Sequence, residues 1–299
     1  MATARLLCLV LIGASFSPAG AIRPGLVRPR AARSSVLTAS LPAVTSVALA
    51  STVPTLLGYW KSEYGVSYAY GTAMAVCGSL YLPAARTPLA VAHAACLLAY
   101  GVRLNAFLLY RELFIPRFVE FREKIEQRAA SKGSRLARTP FVLSCSFLYF
   151  CMAAPLRLTF GLGPAHGALA MLQWGLVGLM YSGFGVAAIG DLTKTRVKAA
   201  RGENALVTQG IFMWLRHPNY TGELLLWTAN AAIAVLGALC DNGLPKPAKI
   251  GYAVASAIGA AGIAFVLLKA TSNLEKKQEE KYGEEYTDWA AGSWSGPTL

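Results

Sequence analysis

The sequence predicts an all-α, polytopic transmembrane helical bundle, and three observations carry that prediction. Hydrophobic residues occupy 55% of the 299 positions and charged residues only 14%, where a soluble domain carries roughly 25% charged residues. Mean hydropathy is +0.45. The charges are gathered into short stretches, and the apolar runs between them approach the ~20 residues that a spanning helix needs.

Seven apolar segments occur in order, at about 41–60, 67–84, 88–110, 140–160, 168–190, 223–240 and 250–269. The second and sixth are the shortest, so six to seven spans are expected. Gly, Ala and Ser recur within them, as close helix packing in lipid requires. With seven spans, the loops after the first, third, fifth and seventh share one side. They carry 18 Lys and Arg, against four (Arg86, Arg157, Lys246 and Lys249) on the other side. The positive-inside rule then puts the 111–139 loop and the C-terminus together on the cytosolic or stromal face. No repeat and no second folded domain is visible, so residues 41–299 read as one membrane-embedded helical domain.

The formal charge of +13 does not indicate a nucleic-acid binder. Its bases lie where membrane topology puts them, and no stacking platform or base-reading motif accompanies them. The six cysteines (Cys8, Cys77, Cys96, Cys145, Cys151 and Cys240) form no CxxC pair; they read as small apolar residues. With three histidines in all, a His-rich metal site is not expected.

Residues 1–62 contain no Asp or Glu. Arg5 precedes an apolar run at 6–12 and small residues ending in Ala19-Gly20-Ala21, the shape of a signal peptide. Arg23, Arg28, Arg30 and Arg33 come next, in an acid-free stretch of transit-peptide composition. Residues 1–34 thus resemble the two-part leader of algae with complex plastids, and a plastid membrane is the expected destination. A single leader, to the endoplasmic reticulum or another organelle, is the alternative.

The chemistry concentrates between Gly190 and Trp227. Pro218 suits the first turn of a helix, so the sixth segment would begin there with free N–H groups and a positive dipole end. Arg216 and His217 precede it, and Lys194, Arg196, Lys198 and Arg201 lie in the preceding loop. A polyanion at the membrane surface fits this set, whether a dinucleotide phosphate or a lipid headgroup. Asn219 and Glu223 share a helix face, as do Glu223 and Trp227. Gly222 is expected to open the backbone to a ligand. A carboxylate entering a span is costly and usually faces a functional cavity.

The string Arg216-His217-Pro218-Asn219-Tyr220-x-Gly222-Glu223, with Gly210, Trp214 and Trp227 around it, resembles the signature of the steroid 5-alpha-reductase C-terminal superfamily. It is also similar to the isoprenylcysteine carboxyl methyltransferases. Asp191-x-x-Lys194 and Asn204 resemble parts of the reductases' cofactor loop, here 191–219. Leu274-Glu275-Lys276-Lys277 with Tyr282-Gly283-x-x-Tyr286 resembles the superfamily's C-terminal tail, here 270–299. Asn219 and Glu223 lean toward the reductases, whereas Leu206-Val207-Thr208-x-Gly210-Ile211-Phe212 looks like the methyltransferases' lead-in. After Trp289 the tail departs from both.

The resemblance implies an NADPH-dependent membrane reductase acting on a carbon–carbon double bond of a hydrophobic, steroid-, sterol- or isoprenoid-type substrate. Lys194, Lys198 and Arg216 would meet the phosphates, and Asn204, His217 and Asn219 would give hydrogen bonds. Asp191, Trp214 and Tyr286 complete the cofactor set. Tyr220 or Glu223 would polarise or protonate the substrate. The alternatives are an S-adenosylmethionine-dependent methyltransferase in the same place and a non-enzymatic protein that binds membrane lipid headgroups.

Outside this stretch, Arg103 in the third segment calls for a partner, a wet cavity or an interface within snorkelling reach; Gly101-x-Arg103-Leu104 with Tyr110-Arg111 is similar to the superfamily. His93 reads as a packed or pore-facing residue rather than a ligand, and His166 as interfacial. Phe114, Phe118 and Phe121 mark an amphipathic surface helix within 112–138.

Overall fold

The chain divides into two units, Met1–Thr38 and Ala39–Leu299, and the described helices all belong to the second. The computed structural model describes residues 42–298 apart from 132 and 241; the expected leader, 1–34, lies outside the described residues. No β-strand occurs among them. The helices are α1 Val44–Thr52, α2 Leu57–Trp60, α3 Tyr68–Tyr81, α4 Pro88–Phe114, α5 Pro116–Ala130, α6 Thr139–Ala153, α7 Pro155–Phe160, α8 Gly167–Arg201, α9 Pro218–Leu239, α10 Lys246–Tyr282 and α11 Glu284–Ala291.

Five stretches are long and apolar enough to cross a membrane: Pro88–Phe114, Arg135–Phe160, Gly167–Arg201, Pro218–Leu239 and Lys246–Tyr282. The protein is an integral membrane protein of helical architecture. The first two expected segments form shorter helices. Residues 44–60 are interrupted by a 3-10 turn, Val53–Leu56, which holds Pro54, a residue without an N–H to donate. The 14 residues of α3 reach only about 21 Å.

Local chemistry sets the ends. The Thr87 hydroxyl accepts from the Ala90 amide at 3.2 Å, capping α4. Ile115 is extended, as a residue before proline prefers, and α5 starts anew at Pro116. Residues 191–201, expected as loop, continue α8 because they contain neither Gly nor Pro; the helix stops at Gly202, whose φ is +92°. The expected tail likewise continues α10 to Gly283, φ +56°. The structure therefore shortens both the loop and the tail.

Neighbouring helices run antiparallel and approach closely at small residues. A Cβ on Gly222 of α9 would lie 2.5 Å from the Gly183 carbonyl oxygen and 2.5 Å from the Ala187 amide of α8. This corrects the expectation for Gly222: it brings α8 and α9 together and leaves no room there for a ligand. Tyr70, Tyr100, Tyr149, Met180 and Trp227 anchor the apolar core among α3, α4, α6, α8 and α9. The amphipathic α5 forms as expected. It is pinned by Arg122, whose side chain is 2% exposed and pairs with Glu63 at 3.3 Å and Glu112 at 3.1 Å.

Candidate functional site

Three chain segments meet at one end of the bundle. Asn204 Oδ1 accepts from Arg117 Nη1 of α5 at 2.7 Å and from Lys281 Nζ of α10 at 3.3 Å. The loops after α4 and α8 and the end of α10 therefore share one end, the grouping the charge pattern predicted.

The α8–α9 seam aligns the acid and bases there. Asp191, Lys194 and Lys198 lie one turn apart along α8, opposite the first turn of α9 with Asn219 and Tyr220. Two adjoining cavities open between them, of about 460 Å³ and 200 Å³. Lys194, Lys198, Asn219 and Leu274 line both, so the cavities form one two-lobed cleft. Asp191 and Tyr220 face the larger lobe. Arg216 and His217 face the smaller, with Lys277, Lys281 and Tyr282 of α10. The start of α9 backs onto α8: a Cβ on Gly190 would lie 3.0 Å from the Asn219 amide nitrogen. The helix end is thus partly covered, and the lysines dominate the attraction for an anion.

Arg216 is held by protein groups. Its Nε donates to Glu275 at 3.1 Å, Nη2 to the same carboxylate at 3.0 Å, and Nη1 to the carbonyls of Ala290 (2.9 Å) and Ser293. His217 is buried and bonded to Glu275 Oε1. Burial lowers the His217 pKa and outweighs the Glu275 hydrogen bond, which raises it. The end of the tail lies along the 212–216 stretch: the Arg216 amide donates to Trp294 O at 2.8 Å, and the Trp294 amide to Trp214 O at 2.9 Å.

Glu223 lies one turn deeper than Tyr220, under the aromatic core. The Tyr70 hydroxyl donates to it at 3.4 Å and itself accepts from Tyr100 at 2.9 Å. Arg103 does have a partner: its Nη2 donates to Asp191 at 2.7 Å.

The chain belongs to a family of proteins of unknown function, DUF1295, whose model matches residues 60–292. No curated protein and no solved structure matches it significantly.

The family's matched region contains every residue of the cleft. Of the expected site residues, Asp191, Lys194, Lys198, Arg216, His217, Asn219 and Tyr220 are brought together on the cleft. Asn204 sits at its rim, tied to Arg117 and Lys281. Trp214 does not join: its residue is 75% exposed. Tyr286 is 5% exposed and packs edge-on against Trp289, ring centroids 5.8 Å apart, as part of the tail. Sequence reasoning quoted Glu275 and Arg111 only within likenesses to the superfamily, Arg111 also as a topology base, and gave neither a place in the site; Glu275 is the group that holds both Arg216 and His217. Sequence reasoning missed Tyr70 and Tyr100, whose polar tips among apolar neighbours were the one available signal. No group of three or more His, Cys, Asp or Glu able to hold a metal occurs among the described residues.

Proposed function

We propose that the chain is a membrane-bound oxidoreductase that reduces a carbon–carbon double bond of a lipid-like substrate with NADPH. The observation that carries this reading is the convergence of cations from α8 and α10 with Asp191, Asn219 and Tyr220 on one cleft. The likeness of the 216–223 string to the steroid 5-alpha-reductase signature supports it.

The donor set suits a dinucleotide. Lys194, Lys198, Lys277 and Lys281 line the smaller lobe and match a polyphosphate in charge. Asn219 offers an amide at the junction of the lobes. Arg216 does not suit a phosphate, because Glu275, Ala290 and Ser293 already accept from its guanidinium; with His217 it fixes the wall. When bound, NADPH supplies the hydride. Tyr220 lines the larger lobe and donates the proton to the substrate. Glu223, which accepts from Tyr70, lies one turn deeper and polarises the groups behind that site.

An S-adenosylmethionine-dependent methyltransferase is the second reading, favoured by the 206–212 lead-in. The discriminating experiment is thermal stabilisation of the purified protein. Stabilisation by NADPH and not by S-adenosylmethionine is expected. The reverse result replaces the first reading with the second, and a response to neither removes both in favour of a lipid-binding, non-enzymatic protein. The plastid destination rests on the composition of residues 1–34; a reporter fused to residues 1–60 that stays in the endoplasmic reticulum overturns it.

A further inference from the structure

The larger lobe has two unlike surfaces. One is aromatic: Phe107, Tyr110, Phe114, Phe118 and Phe121, from the end of α4 and the start of α5. The other is cationic: Arg111, Lys194 and Lys198, with Arg117 nearer Asn204. Depth along α4 places this lobe. Phe107 lies 19 residues past Pro88, the first residue of α4, about 28 Å along the axis, and Phe114 about 39 Å. A hydrocarbon core is about 30 Å thick. The aromatic surface therefore stands at headgroup level, where amphipathic side chains of the type of Tyr110 collect. Tyr110, Phe114 and Phe121 are exposed as well as cavity-lining, so the lobe has an apolar mouth toward the leaflet.

Three carboxylates line this lobe with the cations, and of these Glu203 attracts Lys194 and Lys198 without an ion pair to either among the described residues. Asp191 is engaged by Arg103 at 2.7 Å and Glu63 by Arg122 at 3.3 Å. The Arg111 guanidinium lies over the Phe118 ring, 3.9 Å from its centroid. Arg111 and Lys194 make no ion pair among the described residues. A neutral sterol here would cover two cations without an anion, which is costly. A small anion alone would leave the aromatic surface in water.

We propose that the larger lobe takes the oxyanion headgroup of a single-chain amphiphile from the basic-side leaflet, with the chain leaving past Phe114 and Phe121. The headgroup, carboxylate or phosphate, meets Arg111 and Lys194. This deepens the reductase reading by naming the substrate class of the same cleft, and rests on that reading only for the bound molecule being a substrate.

The test uses the full chain in phosphatidylcholine nanodiscs, with equilibrium binding of palmitate, hexadecyl phosphate, hexadecanol and inorganic phosphate. Both chain-bearing anions should bind at least tenfold more tightly than hexadecanol and than inorganic phosphate. Arg111→Gln should lower the affinity for both anions by about tenfold or more, since a charge-assisted hydrogen bond contributes about 1.5–3 kcal/mol, and leave hexadecanol binding unchanged. Phe114→Ser should weaken the chain-bearing anions several-fold. Lys194→Gln serves as second variant should Arg111→Gln not fold. Hexadecanol binding as tightly as palmitate overturns the proposal, as does unchanged selectivity in the variants. Inorganic phosphate matching hexadecyl phosphate also overturns it, because the site would then hold free anions. NADPH stabilisation is measured in the same discs. Headgroup selectivity without an NADPH response supports the proposal and removes the reductase reading. An NADPH response without selectivity overturns the proposal and leaves the reductase reading standing.

Discussion

At His93 the bundle encloses polar groups that answer one another. Nε2 donates to Asn230 Oδ1 at 2.7 Å, Nδ1 lies 2.8 Å from the Thr159 hydroxyl, and Asn230 Nδ2 donates to the Met152 carbonyl at 3.0 Å. At the basic end, Arg111 and Lys194 line an open lobe of about 460 Å³ with no carboxylate bound to either among the described residues. Both regions put polar groups into an apolar bundle. The first is closed and satisfied, so its polar groups fix which helix surfaces meet. The second is open and left with unbalanced positive charge, as a ligand site is. Burial of a polar side chain thus says little about function until its partners are counted.

The sharpest way to break this contrast is Asn230→Leu. It leaves His93 Nε2 and the Met152 carbonyl unpaired in the core, about 1–3 kcal/mol for each orphaned group. A marked fall in Tm with unchanged ligand affinity is expected; lost affinity at unchanged Tm would make the His93 centre part of the site. Next in size is Tyr220→Phe. If Tyr220 is the proton donor, turnover should fall by roughly 10²–10⁴-fold with little change in NADPH affinity, and wild-type turnover would refute the role.

Arg216 tests which side of the contrast a cleft residue stands on. As a brace it holds the tail directly, through the Ala290 and Ser293 carbonyls, while Glu275 fixes its guanidinium, so Arg216→Ala should loosen the tail and Glu275→Gln should loosen it to a lesser degree. Limited proteolysis after Tyr282 and NADPH affinity should change together in the two variants. An affinity loss in Arg216→Ala out of proportion to its loosening of the tail would mean that the guanidinium touches the cofactor. The smallest expected effect is on pH. Burial holds the His217 pKa below its ordinary 6.5, so protons bind better once the tail is released. Docking is therefore fully stable above about pH 6.5 and weakens as pH falls below it, by at most about 1.4 kcal/mol per pH unit. Proteolysis of the tail at pH 5.5 should be faster than at pH 7.5, and His217→Gln should remove the difference.

Much of the bundle was legible because its rules are local or statistical. A run such as 250–269 must satisfy its backbone internally in lipid and so forms a helix; Pro116 and Pro218 start helices through their own geometry. The cleft was half legible. Lys194 and Lys198 were found as bases gathered ahead of Pro218, though in an expected loop, and Asn219 and Tyr220 by the string around Pro218. The 191–201 segment was misjudged because charges suggested a loop, whereas a helix stops only where the backbone is made to turn, at Gly202.

By itself the sequence determined the all-helical membrane character, the basic end and the gathering of basic and polar residues near residue 218. Each comes from the solvation of residues close together in the chain. Only the tertiary structure decided what Arg103, Arg216 and Gly222 do. Arg103 meets Asp191 across 88 positions and Arg216 meets Glu275 across 59, while Gly222 is fixed by the backbone of a neighbouring helix. A charge or a missing side chain declares a need, but the partner that meets it is chosen by which helices pack together, and that depends on small-residue contacts spread along the whole chain.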